Sequence, residues 1–203
     1  MPDARIAAAR FALIGLAIWL AALLGFGAAV DGYSHLQHPV AMLGAQGVGM
    51  PLAFNVLGFI VPGLLVGIAA WRLRTALGTA GWPVRIGAVL WALSALAFIA
   101  QGLLPLDPED LDAASSRLHA LAWSLWWISF VPGAVLLGMR SRSAMMAVAA
   151  AAAVVAVATL LWSAGLAQRV GMAAWFVLVA FVAYRYTQVP HEVGSTAARD
   201  GVR

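Results

Sequence analysis

The chain contains no cysteine and no lysine. Without cysteine there is no disulfide framework, no thiol nucleophile and no thiolate-bound metal. Without lysine, the positive charge rests on arginine alone, and twelve arginines against eight acids leave a formal charge of +4. Charged residues make up only 10% of the 203, and the arginines stand at the ends of apolar runs rather than in one basic patch, which excludes a nucleic-acid surface. Apolar residues account for 64% and the mean hydropathy is +0.92, whereas soluble domains run nearer half apolar and a quarter charged. A soluble fold of this size has too little interior to hide so much apolar surface, so lipid must be the solvent for much of it. The arginine- and alanine-rich composition fits a GC-rich bacterial genome. A cleaved signal peptide is not expected, because the first apolar run, Phe11 to Val30, is longer than a signal core and further runs follow it.

A helix needs about 20 apolar residues to cross a hydrocarbon core of about 30 Å. Six segments meet or approach this: 11–30, 52–71, 86–104, 118–139, 144–164 and 168–186. They predict an all-α fold, a polytopic membrane protein with a six-transmembrane-helix bundle over residues 1–187, followed by a polar, disordered cytoplasmic tail over 188–203. With the N-terminus in the cytoplasm, Arg5, Arg10, Arg72, Arg74, Arg85, Arg140, Arg142, Arg185, Arg199 and Arg203 lie inside, and only Arg117 and Arg169 outside. The excess of inside arginine predicts an N-in, C-in topology in a bacterial inner membrane. Trp71, Trp82, Trp123, Trp126, Trp127 and Trp162 fall near the predicted interfaces, as an aromatic belt would. Gly63, Gly67 and the alanines of 147–158 read as packing faces within the bundle and leave the oligomeric state open.

In this topology the long connections are extracytoplasmic. Residues 31–51 form the only long polar interruption in the first half, and 106–117 follow with four acids. Loops on one face of a rigid scaffold are where binding residues gather. One reading is a metal site: His35, His38 and His119, with Asp31 and Asp107, offer imidazole and carboxylate donors for zinc or another divalent metal, although their spacing is not a metal signature. The other is a pocket for membrane lipid or a small amphipathic ligand, lined by Asn55, Gln101, Asp107, His119, Gln168 and Arg169 near the outer ends of their spans. Polar groups in spans usually face the bundle interior, and an arginine fork suits phosphate or carboxylate. The plainer alternative has Arg169 reaching water and pairing with Asp107 or Asp112. A metal-assisted hydrolase at the outer leaflet, or one in which His119 activates Ser34 or Ser124, is the competing enzymatic reading. A small-solute transporter is the third; no acid or lysine lies mid-span to couple an ion. Phe59-Ile-Val-Pro-Gly in the second span is echoed by Phe130-Val-Pro-Gly in the fourth, and Pro62 and Pro132 should each kink a helix.

Several motifs together carry a family resemblance. Tyr33-Ser-His-Leu-Gln-His-Pro with Gly44, Asn55, Gly58-Phe59 and Gly63 comes first, then Gly102-Leu-Leu-Pro-Leu-Asp107 with Leu118-His119, then Gly165-Leu-Ala-Gln168-Arg169. In order and spacing they resemble the bacterial domain of unknown function 998 (DUF998). The resemblance implies six membrane spans and an uncharacterised activity, with distant similarity to the Frag1/DRAM/Sfk1 group, some of whose members act in lipid or glycolipid handling. Where that family usually has Ile-Ser-Glu-Leu-Gly, this chain has Val40-Ala41-Met42-Leu43-Gly44. The polar pair is absent, which weighs against an enzymatic role through that motif.

Overall fold

The computed structural model describes residues 3–78, 80–161 and 163–186, with side chains from Ala7 onward. It is all-helical among these residues: α1 Asp3–Ala29, α2 Pro51–Ala76, α3 Trp82–Leu103, α4 Ala114–Gly138, α5 Arg142–Leu161 and α6 Ala164–Tyr186. All six are long and apolar enough to cross a membrane, so the protein is a multi-pass membrane protein. The tail 188–203, with Arg199 and Arg203, lies outside the described residues, as do Trp162 and the Arg5 side chain.

The helices close into a ring in which each packs on its neighbours in sequence and α6 returns to α1. The most extensive contact joins α3 and α4. It is close because Gly87 and Gly133 face each other: a Cβ on Gly87 would stand 2.9 Å from the Gly133 carbonyl oxygen. Gly63 of α2 meets the opposite end of α3 at Ala95 and Ile99. Both Pro-Gly pairs of the internal echo therefore pack on the same helix. Their prolines differ in effect. Pro132 sits within continuous α-helix, whereas Pro62 follows a π-helical stretch, Asn55–Ile60. A proline cannot donate to the carbonyl one turn back and its ring crowds that carbonyl; the wider turn absorbs both.

Span composition follows what surrounds each span. The sixth span carries Gln168 and Arg169 near its start, and α6 is the most buried helix. Helix α5, rich in alanine and valine, is the least buried. Lipid-facing surface must be apolar, whereas surface that meets protein can carry polar groups that find partners there. The core runs through the ring as an aromatic series: Trp19 on Phe176 at 5.8 Å, Phe176 on Trp175 at 4.8 Å, Trp175 on Phe98 at 4.9 Å, and Phe98 on Phe59 at 5.2 Å. Trp126 joins it fully buried, stacked with Trp123 at 5.1 Å and against Trp127 at 4.6 Å. Of these three tryptophans only Trp126 is a buried core residue; Trp123 and Trp127 are half-buried and pack against the core from its edge. Trp71 and Trp82, both exposed, stand where the belt reading puts them, beside Arg72, Arg74 and Arg85.

Candidate functional site

One end of the bundle carries residues 30–50 and 104–113 and the turn at Ser163, and these connections are tied together. Gly32, with φ of 72°, turns the chain back over α1. Ser34 to His38 form a turn in which Ser34 and His38 exchange two bonds: the His38 amide donates to the Ser34 carbonyl, and the Ser34 amide to His38 Nδ1, both at 2.9 Å. Pro39 then leads into a short 3₁₀ turn, Val40–Gly44, of which Val40, Ala41, Leu43 and Gly44 are buried. This turn is a plug. Its apolar side chains fill the mouth of the ring between α1, α2 and α6. Burying Val40 and Leu43 contributes about 1.5–3 kcal/mol each, but the accompanying backbone groups lose water and need partners.

The spans supply those partners, and this is where three of the six predicted pocket residues are used. The Gln168 side-chain oxygen accepts from the Val40 amide at 2.8 Å. Asn55 Nδ2 donates to the Gly44 carbonyl at 2.9 Å. Arg169 Nη1 donates to the His38 carbonyl at 3.0 Å and to the Gly165 carbonyl at 2.6 Å, and Nη2 donates to the Tyr33 hydroxyl. Gln46, beyond the plug, donates through its amide to the Leu106 carbonyl at 2.8 Å and reaches Ser115 with its side chain. Ser163 closes the third connection by donating to the Leu36 carbonyl. Glycines make the fit close. A Cβ on Gly44 would overlap Asn55 Oδ1 and sit 2.7 Å from its Cγ, and one on Gly165 would sit 2.6 Å from the Leu36 carbonyl oxygen.

His119 and Gln101 form a second polar locus on α4 and α3. His119 Nδ1 lies 3.1 Å from the Gln101 carbonyl oxygen and 2.9 Å from that of Leu104. Two acceptors fix the proton on Nδ1, so the neutral ring keeps its lone pair on Nε2. The Gln101 side-chain Nε2, at 1% residue exposure, has no partner among the described residues. Asp107 turns inward on its own loop: its Oδ1 accepts from the Glu109 amide at 3.0 Å and the Asp110 amide at 3.3 Å. It is a loop cap and not the partner of Arg169.

The geometry lends the metal reading no support. Among the described residues no three histidines or acids are placed to share a metal ion. The Tyr33 ring lies 5.2 Å from His35 and 5.6 Å from His38, and His38 Nδ1 is already engaged. His119 is held by the carbonyls of α3 and of Leu104 just beyond it. The donors do not converge, so His35, His38 and His119 do not fit zinc. The serine–histidine arrangement has no support among the described residues: no hydrogen bond joins Ser34 or Ser124 to His119, and the Ser124 hydroxyl donates to the Ala120 carbonyl of its own helix.

Two titrating groups of the loop respond to burial and to Arg169. Burial pushes the Tyr33 phenol above its usual value, with the nearby Arg169 charge opposing it. Burial, and then the same charge, holds His35 below its usual value. Both are neutral near pH 7, so neither supplies an anion or a second cation to the plug.

The same ordered motifs run through this architecture: the 31–63 stretch that forms the plug and its seat, the α3–α4 connection, and the α6 start. The family model described as protein of unknown function (DUF998) matches residues 13–185. The chain belongs to the DUF998 family. No curated protein and no solved structure matches it. The DUF998 match takes in every residue of the plug and of its seat, from Tyr33 to Arg169. Sequence reasoning missed two members of that seat, Tyr33 and Gly44. Both lie in the quoted motifs, but nothing in the residue types alone announces a tyrosine bound to an arginine of the sixth span.

Two apolar clefts open between helices of this DUF998 chain. One, of 420 Å³, lies between α1 and α2 at the plug end, lined by Gly25, Phe26, Ala29, Met50 and Leu57 among others. The second, of 260 Å³, lies between α4, α5 and α6, where Trp127, Phe130, Val148, Val155 and Leu178 face it. Cavities with such walls stay dry and take hydrocarbon.

Proposed function

We propose that the protein is a bacterial inner-membrane protein, N-in and C-in, that binds or handles a lipid or small amphipathic ligand at its extracytoplasmic end. One observation carries this reading: the Val40–Gly44 plug sits in a seat that is itself amphipathic. Its floor takes valine and leucine side chains, and its rim grips carbonyl oxygens through Asn55 and Arg169. An acyl ester presents the same pattern, hydrocarbon next to carbonyl oxygen. The cleft between α1 and α2 gives acyl chains a place at the same level of the bundle. The arginine-rich end, with exposed Trp71 and Trp82, supports the assignment of that end to the cytoplasm.

The test is lipid retention. Full-length protein purified in a mild detergent is expected to keep phospholipid in fixed proportion, and Asn55→Ala with Gln168→Ala is expected to lose it. Protein that retains no lipid, and takes up none when reconstituted into vesicles, overturns the reading.

A further inference from the structure

Arg169 is a cation buried in a membrane span, 7% exposed, with no carboxylate against it among the described residues. All three groups it bonds are neutral: two backbone carbonyls and the Tyr33 hydroxyl. That hydroxyl is protonated near pH 7, and its own proton is directed to the Pro39 carbonyl at 3.4 Å. The position adds to the imbalance. Arg169 lies near the start of α6, where the helix dipole is already positive and favours an anion over a cation. Ionisable residues inside a membrane are expensive and usually find a counter-charge. The nearest loop of acids does not provide one, since Asp107 is committed to capping its own loop. Nor is the fork fully used. Both Nη1 hydrogens and one on Nη2 are engaged, while Nε is buried without a partner among the described residues. The unused donors sit on Nε and Nη2, neighbouring nitrogens that together can hold two oxygens of one phosphate or carboxylate.

We propose that Arg169 is the anion receptor of the seat, so that its ligand carries a phosphate or carboxylate group. This rests on the reading of the plug seat as an amphiphile site and deepens it by naming the headgroup chemistry. Because Nε is closed off by protein, the anion reaches it only as the His38–Gly44 segment lifts. Binding and displacement of the plug are therefore one event. Asn55 and Gln168, released from Gly44 and Val40, turn to the ligand at the same step.

The protein has no native cysteine, so an Ala41→Cys variant reports the plug without background. Full-length protein in dodecyl maltoside is titrated with short-chain phosphatidylglycerol, with short-chain diacylglycerol, which carries no anionic group, or with inorganic phosphate. Binding is followed by thermal shift and plug exposure by maleimide labelling. The expected result is preferential binding of phosphatidylglycerol with faster labelling, and a loss of roughly tenfold or more in affinity in Arg169→Gln. Tyr33→Phe guards against a merely structural effect. It removes a neutral acceptor and frees an arginine donor, so it should tighten anion binding, whereas damage to the fold would weaken it. A response to phosphate alone assigns the anion to a soluble ligand; a response to phosphatidylglycerol alone assigns it to a lipid headgroup. Equal binding of both lipids, unchanged in Arg169→Gln, overturns the anion receptor and leaves the amphiphile reading standing. Binding of phosphatidylglycerol without faster labelling overturns the displacement step. No binding of any probe removes both readings.

Discussion

Gly44→Ala tests the plug at its closest contact. The added Cβ would overlap Asn55 Oδ1 and lie 2.7 Å from its Cγ, well inside van der Waals contact. Asn55 must move, and moving it breaks the 2.9 Å bond to the Gly44 carbonyl. Leaving that carbonyl and the amide without partners costs about 1–3 kcal/mol, and overpacking costs about 1–3 kcal/mol. The two overlap, because one movement relieves the clash by breaking the bond; the net is about 2–4 kcal/mol. The helices stay inserted, so the loss appears as local opening rather than global unfolding. In an Ala41→Cys background, an opening equilibrium shifted by that amount raises maleimide labelling of the plug by about 30- to 1,000-fold. A second substitution separates clash from bond. Asn55→Ala alone forfeits the bond, at about 1–3 kcal/mol, but it also empties the space that the Gly44→Ala methyl needs. The double variant should therefore label more slowly than Gly44→Ala alone, a coupling that independent sites do not show. Labelling of Gly44→Ala at the parent rate, or a double variant worse than either single by their sum, would refute the contact.

Gly165→Ala sets a Cβ 2.6 Å from the Leu36 carbonyl oxygen and 3.0 Å from that of His38, both backbone, so the loop itself must lift. Labelling of the plug through Ala41→Cys should then rise by about 5- to 160-fold, at about 1–3 kcal/mol of strain. Gly27→Ala meets side chains rather than backbone, the far end of the His35 ring at 2.5 Å and the edge of the Tyr33 ring at 3.3 Å, and the His35 ring can swing away, so its effect on the same labelling should be smaller. Acid should loosen the plug: His35 is held below its usual 6.5, so its contribution is complete above that value and is lost as pH falls through the lower folded value. Labelling of Ala41→Cys, normalised to that of Leu111→Cys, should rise at acid pH in the parent and stay flat with His35→Gln added. Leu111 and Trp82 are both exposed, at opposite ends of the bundle, and test the topology. An impermeant maleimide on intact cells should label Leu111→Cys and spare Trp82→Cys until the membrane is permeabilised; the opposite pattern would invert the orientation.

The six spans were legible because lipid imposes a length and a composition on each helix. Their ends were less so. Helix α1 extends back to Asp3, well before the first apolar residue of the predicted span, and α2 continues beyond Trp71 to Ala76. A helix does not stop where the hydrocarbon does, since its own hydrogen bonds carry it into the interface. The candidate residues Asn55, Gln168 and Arg169 were also legible, as polar groups at span ends, and they do meet around one segment. Their partners were not. Each bonds a backbone group of the 31–50 connection, and backbone groups leave no mark in the residue types. The zinc donor set finds no support for the same reason: spacing along a loop says nothing about whether Tyr33 will stand between two histidines.

A polar cluster in a membrane span is commonly taken as the lining of a cavity, and here most of it is something else. Asn55 and Gln168 act on a segment of the same chain that has folded into the bundle mouth, and His119 on the end of α3. Such residues need no ligand to justify their burial, because each exchanges water for a carbonyl or an amide of the protein. Arg169 is different in kind. Carbonyls satisfy hydrogen bonds but carry no net charge, so bonding alone cannot neutralise a guanidinium within the bundle. The amide of Asn55 could be exchanged for another neutral donor without changing the charge of the seat; Arg169 could not. That asymmetry makes charge, together with the unpartnered Nε donor beside it, the property of the seat that the plug leaves unmet.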